Sequence, residues 1–143
     1  MQEEKHISEF GQPIVVRYKN GHLIKCYLKE FYPTQDTFHI TSDDGITHII
    51  KTKELKAVFF VKSFAGDKYH IESNKFDEES NIAGRKVAIK FKDGEVITGS
   101  AFSYDTKNVG FFLTPADSKS NNERIFIISD AVEKIVFLSP GSQ

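Results

Sequence analysis

Arg17-Tyr18-Lys19-Asn20-Gly21-His22-Leu23-Ile24 recurs in kind as Lys90-Phe91-Lys92-Asp93-Gly94-Glu95-Val96-Ile97, so that Gly94 answers Gly21 at an offset of 73 residues. In both stretches a strand-like alternation runs into Asn-Gly or Asp-Gly, and a second alternation leaves it. Asn-Gly and Asp-Gly are strong hairpin turns, because both residues tolerate positive φ. The same offset sets Val16 against Ile89, Phe31 against Tyr104, Phe38 against Phe111 and Ile40 against Leu113. Further along, Leu55-Lys56-Ala57-Val58-Phe59-Phe60-Val61 answers Val132-Glu133-Lys134-Ile135-Val136-Phe137-Leu138 at an offset of 77. Two blocks in the same order imply an internal duplication. The second copy holds the extra residues between Pro115 and Glu123.

The period is that of strands. Ile14, Val16 and Tyr18 alternate with Val15, Arg17 and Lys19, as Val87, Ile89 and Phe91 do with Ala88, Lys90 and Lys92. A period of two places one set inside and one outside. Each copy is predicted to hold five strands. After the first come His22–Phe31 and Glu95–Tyr104, then Thr37–Thr41 and Gly110–Thr114. The fourth pair is Ile46–Thr52 and Arg124–Ser129, and the fifth Ala57–Lys62 and Lys134–Leu138. A short polar turn, Lys53-Glu54-Leu55 or Asp130-Ala131-Val132, precedes each fifth strand. No long 3.6-residue pattern occurs. The reading is all-β, with two tandem five-stranded small barrels packed as a pseudo-dimer. Residues 1–62 form the first barrel with an N-terminal extension, 63–84 a linker and 85–143 the second barrel. The linker contains the polar, acidic run Asn74–Asn81, with Phe64 and Tyr69 as anchors. Pro140-Gly141-Ser142-Gln143 reads as a frayed tail.

The composition is globular: 39% hydrophobic and 27% charged in 143 residues. Thirteen Phe and five Tyr, against one Met and no Trp, mean that aromatic rings fill much of the core. The single cysteine, Cys26, excludes a disulfide framework and a zinc site of the Cys-pair type. No stretch approaches the roughly 20 apolar residues of a membrane span, and no secretory signal opens the chain; a cytoplasmic location is expected. Net charge is −1, with about +3 over residues 13–62 and −3 over 63–84. That is far from the strong basic excess of a domain built to grip nucleic-acid backbone.

Five short strands, a bent second strand and a one-turn stop before the fifth resemble the SH3-like barrels, and among them the Sm-like proteins. The first Sm motif is matched in copy two by Asp93-Gly94, Gly99 and Tyr104-Asp105, where the second glycine lets the strand bend. Copy one has Asn20-Gly21 but Cys26 at the glycine position. The Arg-Gly pair of the second Sm motif is absent: Lys53-Glu54 and Asp130-Ala131 stand in its place. The resemblance therefore implies a barrel over both copies but not the RNA-base pocket. Phe91-Lys92-Asp93-Gly94, Gly110-Phe111-Phe112-Leu113, Pro115-Ala116-Asp117, Ser120-Asn121-Asn122 and Arg124-Ile125-Phe126 together resemble an uncharacterised bacterial domain family, similar through both halves. That likeness implies a bacterial source and no mechanism.

The segment from Pro115 to Arg124 is the candidate binding loop, with Asp117, Ser118, Ser120, Asn121, Asn122 and Arg124 as ligand-binding residues. Its short hydrogen-bonding side chains suit a polar ligand or peptide. They suit equally a turn that satisfies its own backbone. His39 and His48 could face each other across the third and fourth strands, but a first metal shell usually needs three or more protein ligands. No metal, cofactor or catalytic residue is assigned, since no nucleophile elbow, phosphate-cradling loop or paired-acid motif is present. Cys26 reads as a buried structural thiol. Arg17, Lys19, Lys25 and Lys29, beside Tyr18 and Tyr27, read either as a face for single-stranded nucleic acid or as a solvated surface.

These features lead to a non-enzymatic binding or scaffolding module, with a protein or peptide as the expected partner. The alternative is an Sm-like nucleic-acid binder. Nucleic-acid binding is expected to be weak, and no membrane partner is expected. Val58-Phe59-Phe60-Val61 and Ile135-Val136-Phe137-Leu138 are apolar on both faces, which a solvated strand is not. The fifth strands are therefore expected to form the seam, within a monomeric pseudo-dimer or between chains of a homo-oligomer.

Overall fold

The computed structural model describes residues 9–76, 84–104 and 108–138 and turns the period-two segments into ten strands. The first half holds β1 (Gln12–Tyr18), β2 (Leu23–Leu28), β3 (Thr37–Thr41), β4 (Thr47–Lys51) and β5 (Leu55–Val61). The second holds β6 (Arg85–Phe91), β7 (Val96–Ala101), β8 (Gly110–Pro115), β9 (Asn122–Ile128) and β10 (Val132–Phe137). Among the described residues there is no α-helix. Single 3₁₀ turns, Thr52–Glu54 and Ser129–Ala131, stand where the stops before the fifth strands were expected. The N-terminal residues 1–8, the linker run from Asp77, Asp105 of the Sm-like motif and the tail from Pro140 lie outside the described residues.

Both Gly-containing turns close alike. The Tyr18 N–H donates to the His22 carbonyl and the Phe91 N–H to the Glu95 carbonyl. Gly21 and Gly94 both have φ +97°, yet Asn20 and Asp93 keep negative φ. Each carboxamide or carboxylate instead accepts the N–H two residues on, from His22 or Glu95. Only the glycine must be left-handed here, because the Asx side chain satisfies the turn from a right-handed backbone.

Registers repeat between the halves at the offsets read from the sequence. Val16 opposite Ile24 becomes Ile89 opposite Ile97. Phe38 opposite Ile50 becomes Phe111 opposite Ile127. Val16 opposite Val58 becomes Ile89 opposite Ile135. One difference has a local cause. A Cβ on Gly99 would lie 2.2 Å from the Thr114 carbonyl oxygen, so glycine is what lets β7 reach β8 as far as the Gly99–Pro115 pair. Cys26 occupies the matching position in β2, and there the ladder to β3 is reduced to Tyr27–Thr41.

The two halves are not separate. All ten strands form one open antiparallel sheet in the order β10-β6-β7-β8-β9-β5-β1-β2-β3-β4. Its centre is β5 against β9, with Val58 opposite Phe126 and Phe59 opposite Ile125. Both strands are apolar on both faces, so each supplies two cores. Val58, Phe60, Phe126 and Ile128 fill the first, with Ile14, Val16, Leu28 and Phe38. Ala57, Phe59, Val61, Ile125 and Ile127 fill the second, with Val87, Ile89, Phe91 and Leu113. The expected seam between fifth strands is therefore half right. β5 is in it; β10 is at the sheet edge, and its place is taken by the fourth strand of the second half. The run Ile125-Phe126-Ile127-Ile128 has no polar residue to expose, whereas β10 carries Glu133 and Lys134, both exposed.

Charges close one end of the seam. The Lys56 side chain is buried and bonds Glu95; its Nζ lies 2.7 Å from Asp93 Oδ2 and 4.7 Å from the Phe91 ring centre. Lys19 pairs with Asp130. Burying a lysine is costly unless it is paired, and both partners of Lys56 come from the other half. Phe60→Ala should lower unfolding free energy by about 3–5 kcal/mol, because Phe60 is 1% exposed. The matching change Phe137→Ala, at a position 44% exposed, should cost a small fraction of that. Urea unfolding of the two variants makes the comparison.

Candidate functional site

The extra residues between β8 and β9 are a loop with a buried carboxylate at its centre. Asp117 Oδ1 accepts the Lys119 N–H at 2.9 Å, a local Asx bond. Asp117 Oδ2 accepts the Ser73 N–H at 3.0 Å and lies 2.7 Å from His70 Nε2. Burial pushes this carboxyl up, but the bonds from Lys119, Ser73 and His70 outweigh it, and Asp117 titrates below the ordinary carboxylate value. Asn121 Nδ2 donates to the Ser63 carbonyl at 2.8 Å, and the Lys62 N–H donates to the Asn121 carbonyl. Ser120 Oγ accepts the Asn122 N–H. The loop and the segment from Ser63 to Phe76 thus hold each other. Asn74 continues the attachment, accepting the Thr98 N–H and donating to the Val96 carbonyl.

The six residues singled out in the sequence divide accordingly. Asp117, Ser120 and Asn121 turn towards this chain's own backbone, and Asn122 contributes its N–H. Ser118 is exposed. Arg124 stands apart, on β9, with its guanidinium 4.3 Å from the Phe112 ring centre and 4.5 Å from that of Phe60.

The structure adds His70 and Glu72 to this region. Donor atoms of His70, Glu72 and Asp117 all lie within 4.8 Å of one another. Burial, reinforced by the Asp117 charge, raises the Glu72 carboxyl despite a bond from Ser120. The donor set is one a divalent cation accepts, but Lys62 and Lys119 line the same cavity and both oxygens of Asp117 already accept N–H bonds. Histidine and aspartate lie 47 residues apart in the chain, and no local spacing announces them. His39 and His48 do not face each other. His39 is opposite Ile49 and His48 opposite Ile40, a slip of one residue that sends the two rings to opposite faces.

Cys26 is 1% exposed. Burial, with the charge of Asp43, pushes its thiol up to about 12, so it is held as the neutral thiol, a poor nucleophile. The basic set of the first half is partly committed. Arg17 stacks over Phe59 at 5.4 Å and lies 3.8 Å from Glu95; Lys19 is paired with Asp130. Lys25 and Lys29 are exposed.

An apolar depression lies elsewhere. A groove of about 620 Å³ lies between Pro33 of the first half and Phe102, Val109, Phe111, Phe112 and Phe126 of the second. Its floor belongs to an aromatic cluster that crosses the seam. Phe31 lies 4.8 Å from Phe126, which lies 5.0 Å from Phe112, ring centre to ring centre. Phe102 stands at the rim, 79% exposed. The sequence offered no separate signal for it: Phe102 falls within the expected strand Glu95–Tyr104, whereas β7 ends one residue before it, at Ala101. The facing half could not be read.

Residues 11–139 match the model of a family described as a family of unknown function, DUF6982. No curated protein and no solved structure matches the chain.

Asp117→Ala should cost about 1–3 kcal/mol, the usual penalty for buried donors left without an acceptor. It should also speed amide exchange at Ser73 and Lys119. The lowered carboxyl fixes the sign with pH. Its contribution is present above the ordinary aspartate value of about 3.9 and is lost as pH falls through the lowered one. Amide exchange followed down an acid series should show that loss in the parent and not in Asp117→Ala.

Proposed function

We propose that this chain, which belongs to DUF6982, a family of unknown function, is a non-enzymatic binding or scaffolding module for a protein or peptide segment. The groove across the seam carries this reading. It is concave, lined by phenylalanines, and has an exposed phenylalanine at its rim. Fully covering such a side chain is worth about 1.5–3 kcal/mol, and rigid aromatic anchors of this kind dominate binding sites. Arg124, stacked on the Phe112 ring that also lines the groove, adds a fixed positive charge to the same cluster. A segment with apolar side chains and a nearby carboxylate fits that surface. The thiol of Cys26, neutral and buried, favours binding over covalent catalysis.

In this reading each half is a small SH3-like barrel of Sm-like strand order, and the chain a tandem repeat of it. The support is the repeated order, fifth-first-second-third-fourth, in both halves. The module works in the cytoplasm, in keeping with a free cysteine. An Sm-like nucleic-acid binder is the second reading, favoured by Lys25 and Lys29 beside Tyr27. Arg17 and Lys19, turned to acidic residues of the other half, weigh against it.

Peptides selected on the immobilised chain from a displayed random library should bind with Phe102 in their footprint. Phe102→Ser should weaken them by about tenfold or more, the loss of one large apolar contact, with an unchanged thermal melt. Selected peptides indifferent to that change would move the site away from the groove. Gel shifts with oligo-U and oligo-A at physiological salt should show no submicromolar complex; a tight, salt-sensitive one would promote the nucleic-acid reading.

A further inference from the structure

The duplication makes the two outer edges of the sheet comparable with its centre. Positions in the fourth and fifth strands of the first half correspond to those 77 further on in the second. β5 therefore corresponds to β10 and β4 to β9. The pair β5–β9 is formed; β10 and β4 are the first and last strands of the sheet. The sheet thus ends in the two halves of the joint that it makes once in its middle.

Equivalent side chains show the effect of a missing partner. Phe126 is 1% exposed in the central joint, and its counterpart Ile49 is 66% exposed. Phe59 is 7% exposed and its counterpart Val136 42%; Phe60 is 1% and Phe137 44%. Each edge also carries a row of backbone groups without a strand to pair with, which is a template for another chain.

We infer that a second copy of this chain pairs its β4 with β10 of the first, head to tail, and repeats the central joint between molecules. Carrying the observed register across sets Ile135 opposite Ile49 of the neighbour, as Val58 is opposite Phe126. Val136 comes opposite His48, as Phe59 is opposite Ile125. The joint is heterologous, so it propagates to a closed ring or an open filament.

The charges make this outer joint weaker than the inner one. Lys56, buried against Asp93 and Glu95, corresponds to Glu133, which would face Asn20 and His22. Lys19, paired with Asp130, corresponds to Lys92, which would face Lys53. Lys92 has Asp130 of its own half at 3.9 Å, which softens that opposition without removing it. Association is therefore reversible, and salt strengthens it by screening the lysines while apolar contacts persist.

Light scattering on the full chain after size exclusion tests this across a micromolar-to-millimolar range. The mass should rise with concentration to at least twice that of one chain, and rise further with added salt. Ile49→Lys spoils one edge and Val136→Lys the other; both positions are at the rim, so both variants should melt like the parent and remain monomeric alone. Mixed in equal amounts they should give a dimer and nothing larger, because one intact β10 meets one intact β4. A parent that stays monomeric throughout overturns the inference. So does a single variant that still self-associates, or a mixture of the two that stays monomeric.

Discussion

The pairing of β5 with β9 is the interaction on which the rest of the structure depends. Each is a run of apolar residues with no polar side to give to water, so each must be covered on both faces. Placing them side by side at the middle of one sheet meets the need of both. Successive side chains then enter opposite cores: Val58 and Phe60 one, Ala57 and Phe59 the other. Neither half has a complete core alone. The first lacks Phe126 and Ile128 without its neighbour, and the second lacks Phe59 and Val61. The fold is cooperative across the duplication because its central strands are shared.

The copies have diverged where the seam required it. Lys56 enters the interface and finds Asp93 and Glu95; the matching Glu133 stays at the surface beside Lys90, 3.8 Å away. Asp130 meets Lys19, while the matching position in the first half is Lys53. A symmetrical pair of copies would have presented identical charges to both sides of the joint. The ion pairs thus specify which edge of each half lies inside. That is a role in selecting the arrangement, distinct from the hydrophobic contribution to its stability.

The extra residues of the second copy serve the segment that connects the halves. Asp117 and Asn121 hold the stretch from Ser63 to Ser73 beside β9, and Asn74 ties its end to β7, replacing water at backbone groups that no strand would satisfy. Across the seam, the loop after β2 approaches Phe111 and Phe112 and leaves the aromatic groove between them. The groove exists because the halves meet there, and it carries the proposed function for the same reason.

Much of this was legible in the chain itself. Alternation at Ile14–Tyr18 and Val87–Phe91 gave strands, Asn20-Gly21 and Asp93-Gly94 gave their turns, and the offsets of 73 and 77 gave the registers that the ladders repeat. These are local patterns, and hydrogen-bond geometry reads them locally. The apolar run in β5 announced that a seam existed, but its partner could equally have been β10 or β9, both rich in apolar residues. Only the packed structure decided for β9: β10 can leave Glu133 and Lys134 in water and the run Ile125–Ile128 has nothing polar to leave there, and the ion pairs of Lys56 with Asp93 and Lys19 with Asp130 form only when distant segments meet. The joining of His70 to Asp117 and the groove beneath Phe102 have the same origin. Each is made by side chains from segments far apart in the chain, and their meeting is fixed by the burial of two shared cores rather than by any spacing in the sequence.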